Sequence, residues 1–422
     1  MKLTIKFLLS AFVALVFSVT SFAQITTSSL GGQITESSGV PAVGVAVVAT
    51  HQPSGTVYGA VTNAEGRYAI QGMRVGGPYS VEISCLGFQT VTYTDIVLQL
   101  GEQYALNSAI QESSELIAEA LVIASPVSKF STEKTGAATN ISRQQMENLP
   151  TISRSITEIT KLSPYGGSGM SFVGTDGRTA NFTVDGANFN NNFGLSSSLP
   201  GGGSPISIDA IEEVQVVISP YDVRQTNFIG GGVNAITKSG TNTFKGSAYV
   251  YHRNENMRGN AVDGKEIAGA RNRDRTTTYG ATLGGPIVKN KLFFFVNFEY
   301  QKSPTVVNRW RASVDGVADP DNYISRTTQA DMKRVSEFLK TKYDYDTGSW
   351  TDFPADESNM KVLARLDWNI SRKHKLALRY NYTLNQRWNS TNASSSDCGQ
   401  RTTQARFSQY SMAFANSMYS MD

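Results

Sequence analysis

Between Met360 and Ile370 the chain alternates without a break: Met360, Val362, Ala364, Leu366, Trp368 and Ile370 interleave with Lys361, Leu363, Arg365, Asp367 and Asn369. A side-chain period of two places the first set on one face of an extended strand and the second, mostly polar set on the other. The pattern returns at once, with Leu376, Leu378, Tyr380, Tyr382 and Leu384 alternating with Lys375, Ala377, Arg379, Asn381 and Thr383. The connection Ser371 to His374 is so short that the two strands must be antiparallel. A second hairpin joins Thr276–Gly284 to Leu292–Lys302 through Pro286 to Lys291, and sets Leu292, Phe294, Val296, Phe298 and Tyr300 on one face. Long polar insertions separate the hairpins, above all Ser303 to Asn359, in which Gln329 to Tyr343 predicts a helix. Strands of about ten residues with aromatic ends, joined by short connections on one side and long ones on the other, distinguish a membrane barrel from a soluble sandwich.

The N-terminus supplies the address such a barrel needs. Lys2 and Lys6 precede the apolar run Phe7 to Val19, and Ser21-Phe22-Ala23 offers a signal peptidase small residues, so residues 1–23 read as a secretory signal. That core is short for a transmembrane helix, and no Cys follows the cleavage point to carry a lipid. No later stretch holds 18 consecutive apolar residues, which leaves a β-barrel as the remaining way to satisfy backbone groups in lipid. With 38 Lys plus Arg against 35 Asp plus Glu, there is no electrostatic footprint for nucleic acid. Cys85 and Cys398 lack the spacing of a disulfide framework or a zinc site.

Residues 24–111 read as short strands punctuated by Gly and Pro: Gly32–Thr35, Val43–Thr50, Val57–Thr62, Tyr68–Gln71, Tyr79–Ser84, Gln89–Tyr93 and Tyr104–Ala109, with a turn at Asn63-Ala64-Glu65-Gly66. Strands at this spacing predict a β-sandwich. Gly39-Val40-Pro41, Val43-Gly44-Val45-Ala46-Val47, Thr62 to Tyr68, Gly77-Pro78-Tyr79 and Gly87-Phe88 resemble the carboxypeptidase regulatory-like, prealbumin-like domain. That resemblance implies a fold and leaves the activity open. Tyr58, Tyr68 and Tyr79 are either sugar-stacking platforms or, as strand aromatics more often are, core.

Residues 112–241 combine a strand at Leu121-Val122-Ile123, a short helix over Ser153 to Leu162, and strands at Phe182-Thr183-Val184-Asp185-Gly186, Ile211 to Val217 and Phe228 to Lys238. In order, the helix before Pro164-Tyr165-Gly166, the Val-Asp-Gly strand, Ile211-Glu212-Glu213-Val214 and Gly231-Gly232-Val233-Asn234-Ala235-Ile236-Thr237-Lys238 resemble the plug domain of TonB-dependent outer-membrane receptors. Ser219-Pro220-Tyr221-Asp222-Val223-Arg224 departs from many plugs and is similar to the Oar-like branch. The resemblance implies uptake of a nutrient ligand (oligosaccharide, peptide or siderophore), powered by the TonB-ExbB-ExbD complex. The TonB-contact candidates are Glu119, Ala120, Leu121, Val122 and Ile123, an extended stretch able to add as a strand to a partner's sheet. The same stretch also reads as the first plug strand. Gly201-Gly202-Gly203 lacks the Lys-Ser/Thr of a phosphate loop and reads as a plain loop.

Residues 242–422 hold the alternating strands, and Gly240 to Tyr249, Thr282 to Ile287 and Lys291 to Phe295 resemble the opening strands of Oar-like receptors. Six strands are expected there, the last over Phe407 to Met418. A plugged lumen belongs to barrels of about 22 strands, so the expectation is the incomplete N-terminal part of a larger barrel or a broken gene product, the structural alternative being a compact barrel with the middle segment outside it. The fold class expected is mainly β: a prealbumin-like sandwich, an α+β plug and the first strands of a truncated transmembrane barrel. His252-Arg253-Asn254-Glu255 with His374 carries the ligand types of a zinc carboxypeptidase, but the alternation sets the two histidines at opposite strand ends. No catalytic, metal or cofactor residues are assigned and no enzyme is expected. The alternative function is a non-transporting outer-membrane adhesion or matrix protein with a carbohydrate-binding-like sandwich.

Overall fold

The computed structural model describes the chain apart from residues 1–24, 113–120, 125–136, 150, 152, 191–198, 200–203, 221–224, 258, 267–274, 305–310, 320–323, 348–355, 372–373, 390–411 and 422. The secretory signal and the Gly201 to Gly203 loop therefore lie outside the described residues. There are two compact units: residues 1–153, 157–198 and 211–238 form one, and residues 154–156, 199–210 and 239–422 the other.

The first unit opens with a sandwich of β1 (Ser28–Glu36), β2 (Ala46–His51), β3 (Thr56–Val61), β4 (Arg67–Met73), β5 (Gly76–Ser84), β6 (Val91–Leu98), β7 (Gln103–Ala105) and β8 (Ser108–Ile110). One sheet runs β4-β1-β7 with β8 also on β1; the other runs β3-β2-β5-β6 and ends in β9 (Leu121–Ala124). Alternate residues such as Val47 and Ala49, or Tyr79, Val81 and Ile83, fill the core with Leu30, Ile34, Ile96 and Leu98. Each such aliphatic or aromatic side chain contributes about 1.5–3 kcal/mol by leaving water. The turn predicted at Asn63 to Gly66 forms: Asn63 Oδ1 accepts from the amides of Glu65 and Arg67 at 3.1 and 2.8 Å. Gly66 is left-handed there (φ 68°), and a Cβ would stand 2.4 Å from the Ile34 carbonyl. The strand expected over Tyr104 to Ala109 is broken in two. Between the halves the Leu106 amide donates to Gly31 O at 2.8 Å, and Asn107 Oδ1 takes the Gln33 amide at 2.8 Å.

The same unit contains a third sheet, β10-β13-β14-β11-β12, made of β10 (Ala137–Ser142), β11 (Asn181–Val184), β12 (Ala187–Asn188), β13 (Ile211–Ser219) and β14 (Gly232–Thr237). The β10 strand, unsignalled in the sequence, runs straight into a helix, Arg143–Asn148, through a Ser142/Gln145 capping box. The helix expected over Ser153 to Leu162 is confined to Ile156–Thr160, because Arg154 sits at φ 51° and cannot belong to a right-handed turn. The Val-Asp-Gly and Gly-Gly-Val-Asn segments meet as parallel partners, Asn181↔Gly232 through Val184↔Ala235, and buried Asp185 accepts the Thr237 amide at 3.0 Å.

The second unit is built on a six-stranded antiparallel meander: β15 (Lys245–Arg253), β18 (Thr276–Val288), β19 (Leu292–Pro304), β22 (Asp356–Asn369), β23 (Lys375–Asn389) and β24 (Met412–Met421). Two small ribbons pair β16 (Ala261–Val262) with β17 (Lys265–Glu266) and β20 (Arg311–Ser313) with β21 (Ile324–Thr328). The helix Gln329–Tyr343 forms over the span predicted, capped by Thr328 and closed by left-handed Asp344. The meander is inverted relative to a soluble sheet. Val250, Tyr279, Leu283, Val296, Phe298, Leu366, Trp368, Leu376, Leu378 and Tyr380 are at least 40% exposed, whereas Asn297, Glu299, Lys361, Arg365, Asp367, Asn381 and Thr383 are at most 7% exposed.

Candidate functional site

Two arrangements stand out, one in each unit. In the second, the register aligns Tyr249, Gly280, Glu299, Lys361 and Thr383 across five neighbouring strands. Gly280 makes this row work. A Cβ there would fall 2.1 Å from the Tyr249 ring, so only the bare backbone lets that ring lie flat across β18 and deliver its hydroxyl to Glu299 Oε2 at 2.9 Å. Lys361 Nζ donates to Glu299 Oε1 at 2.8 Å, and both side chains are about 5–6% exposed. A buried pair of this kind holds only when its remaining hydrogen-bonding capacity is met.

The segment Ser204 to Asp209 meets it. Ser207 Oγ donates to Glu299 Oε2 at 2.8 Å and lies 3.1 Å from the Tyr249 hydroxyl. Lys361 Nζ reaches Ser204 Oγ at 3.4 Å, and Thr383 Oγ1 donates to Pro205 O at 2.6 Å. At the segment's end Asp209 forms an ion pair with Arg154, whose guanidinium lies over the rings of Tyr251 (4.1 Å) and Tyr249 (5.3 Å). One register row thus clamps a six-residue loop onto the polar face of the sheet. On the same face Arg365 and Asp367 pair along β22 at 2.9 Å.

In the first unit the sequence-predicted coupling stretch is a strand, but not a plug strand. Leu121–Ala124 adds to the sandwich in parallel with β6, with partners Val91↔Leu121, Thr92↔Val122, Tyr93↔Ile123 and Thr94↔Ala124. The plug-strand alternative is corrected by this pairing: the third sheet ends in β10, and β6 takes β9 because its outer edge is otherwise open. Glu119 and Ala120 lie outside the described residues. A link between the sandwich and the third sheet of this unit went unsignalled in the sequence. Buried Glu213 and Gln215 on β13 grip the main chain of Leu100, Glu213 Oε1 accepting its amide at 2.9 Å and Gln215 Nε2 donating to its carbonyl at 2.6 Å. The only trace was Glu213 and Gln215, two polar residues at alternate positions of a largely apolar strand.

The remaining sequence candidates separate. Tyr68 and Tyr79 are core residues whose hydroxyls donate to Leu106 O and Arg74 O, and burial raises both phenol pKa values. They offer no stacking platform. His252 lies at the end of β15 beside Thr277, whereas His374 lies in the turn beyond the Asn369↔Lys375 pair, at the far end of the sheet. Among the described residues no group of three His, Cys, Asp or Glu is placed to hold a metal ion.

Residues 29–111 match the carboxypeptidase regulatory-like domain and residues 236–420 the outer membrane beta barrel domain. The chain therefore carries one segment similar to each of these two domain families. It is similar to the TonB-dependent transporter Oar of Myxococcus xanthus, with 26% identity over 390 residues that cover 87% of this chain and 34% of the relative. The chain thus spans about a third of that relative's length. Among solved structures it is similar to the siderophore receptor PirA from Acinetobacter baumannii (TM-score 0.41, 16% identity, 67% of this chain and 36% of that one). It is also similar to the outer membrane transporter YddB from Escherichia coli (TM-score 0.42, 14% identity, 60% of this chain and 34% of that one).

Proposed function

We propose that the protein is an outer-membrane TonB-dependent receptor that takes up a nutrient ligand through a plugged β-barrel. The observation that carries this is the inverted meander: its apolar face is exposed, and its charged face is buried and clamps Ser204 to Asp209. Only lipid makes an exposed row of Leu, Val, Phe and Trp favourable, and only a plug gives the buried charges partners. In this reading residues 24–111 are the periplasmic sandwich, 112–241 the plug and 242–422 barrel sequence, with TonB-ExbB-ExbD as the energy source acting on Glu119 to Ile123. The physical need for such a partner is plain, since a plugged pore has to be opened by work supplied from elsewhere.

The test uses the whole receptor in cells. It should sediment with outer membrane and resist carbonate extraction, and Phe298→Arg, a charge on the exposed face at the middle of β19, should sharply reduce its accumulation there. A midplane Arg costs a barrel about 2–4 kcal/mol. Recovery as a soluble periplasmic protein, or indifference to Phe298→Arg, would refute the barrel.

A further inference from the structure

The regulatory-like sandwich has a fold but as yet no task. It meets the third sheet at the turn between β6 and β7, residues 99–102. We infer that this turn is a clasp: through it the sandwich holds the sheet of the plug in its closed arrangement, and a receptor whose clasp is broken leaks. The inference rests on the proposal that residues 112–241 plug the barrel.

Three observations make the turn a clasp. First, it grips three neighbouring strands at once. Glu213 and Gln215 of β13 hold the amide and the carbonyl of Leu100, and Asn140 of β10 donates through Nδ2 to Leu100 O at 3.3 Å and to Glu102 Oε1 at 3.1 Å. The Leu100 side chain is buried with Ile25, Val75 and Ile236 of β14. Second, the approach is close enough to require glycine. Gly101 is left-handed (φ 68°), and a Cβ there would stand 3.0 Å from Gln215 Nε2 and 3.2 Å from Ile25 Cγ2. Third, the grip continues into the sheet. Asn140, Gln215, Asn234 and Thr183 form one register row across β10, β13, β14 and β11. Along it Thr183 Oγ1 donates to Asn234 Oδ1 at 2.7 Å, and Asn234 Nδ2 reaches Gln215 Oε1 at 3.5 Å. Gln215 therefore ends a buried polar line whose last donor is met by the sandwich. Unmet donors are costly in a low-dielectric interior, so a line of this kind favours the one register in which every member is paired. With the turn docked, that register is fixed. With the turn away, Gln215 Nε2 and Glu213 Oε1 both lose Leu100, and four strands of the plug lose the constraint that keeps them in one arrangement.

The experiment measures leak through the whole receptor, with potassium chloride conductance in planar bilayers and vancomycin susceptibility of cells as the probes. Gly101→Val breaks the clasp from the sandwich side, and Glu213→Ala breaks it from the sheet side. Glu213→Gln is the conservative variant, which keeps an acceptor for the Leu100 amide. The expected result is channel openings at least about tenfold more frequent in Gly101→Val and Glu213→Ala than in the unaltered receptor, with cells correspondingly more sensitive to vancomycin. Glu213→Gln should rescue the closed state. Gly101→Val and Glu213→Ala both as quiet as the unaltered receptor would overturn the clasp, as would a leak equally large in Glu213→Gln. If Gly101→Val does not reach the outer membrane, the contrast between Glu213→Ala and Glu213→Gln decides alone. The underlying proposal fails in a different way. Recovery of the unaltered receptor in the soluble periplasmic fraction strikes the barrel and its plug, whereas a membrane-embedded receptor with quiet variants strikes the clasp alone.

Discussion

Glu299 and Lys361 show how much a single residue's role depends on its row. Each is one polar member of an alternating strand, and strand alternation alone puts both on the polar face. Their partnership, however, is set by the Glu299↔Lys361 register across the long insertion between β19 and β22, which no local pattern encodes. Removing one partner from a buried pair strands the other, at a cost of about 3–5 kcal/mol. Lys361→Met should therefore be far more disruptive than the double change Lys361→Met with Glu299→Leu, as read from the temperature at which the whole receptor loses heat-modifiable mobility on gels. Gly280→Ala should act by another route, pushing the Tyr249 ring off Glu299 without touching the ion pair. In the sandwich, His51 lies 4.9 Å from the Tyr79 ring and 2.6 Å from Ser54 Oγ; burial, and then the charge of Arg74, lower its pKa from 6.5 to about 3. A depressed histidine favours the folded state while neutral, so its contribution is complete above pH 6.5 and is lost as pH falls toward 3. Urea unfolding of the excised sandwich followed by circular dichroism should lose up to about 1.4 kcal/mol per pH unit in that window, and His51→Gln should flatten the slope.

Elements with strong local signals were legible in the sequence, and elements defined by partners were not. The helix Gln329–Tyr343 and the hairpins of the meander follow from periodicity, because a period of 3.6 or 2 is written in consecutive residues. By contrast, β10 reads Ala-Ala-Thr-Asn-Ile-Ser, with no alternation to mark it, and is a strand because β13 offers it an edge. The stretch at Leu121 was recognisable as extended, but its sheet was not, since four apolar residues suit any open edge. The grip on Leu100 belongs to this class as well: Glu213 and Gln215 look like surface residues until the β6–β7 turn is brought against them. Glu213→Ala would leave the buried Leu100 amide without its acceptor, a loss of about 1–3 kcal/mol. Hydrogen exchange should show the Leu100 amide losing protection, while amides in the core of β5 keep theirs. Unchanged protection at Leu100 would mean that another group can replace the carboxylate.

At the scale of the molecule, the division between the two units cuts through the segment that the sequence assigns to the plug. Residues 199–210 and 154–156 are compact with the meander, although their neighbours along the chain belong to the other unit. The reason is the clamp: four hydrogen-bonding side chains from one row, together with Arg154, outweigh the two ends of a loop. A polypeptide restricted to residues 24–241 retains the sandwich core and the third sheet, yet loses every partner that Ser204, Pro205 and Ser207 find on β15, β19, β22 and β23. It should therefore be a soluble, β-rich monomer in which thermolysin cuts selectively between residues 199 and 210, whereas the whole receptor in detergent resists cleavage there.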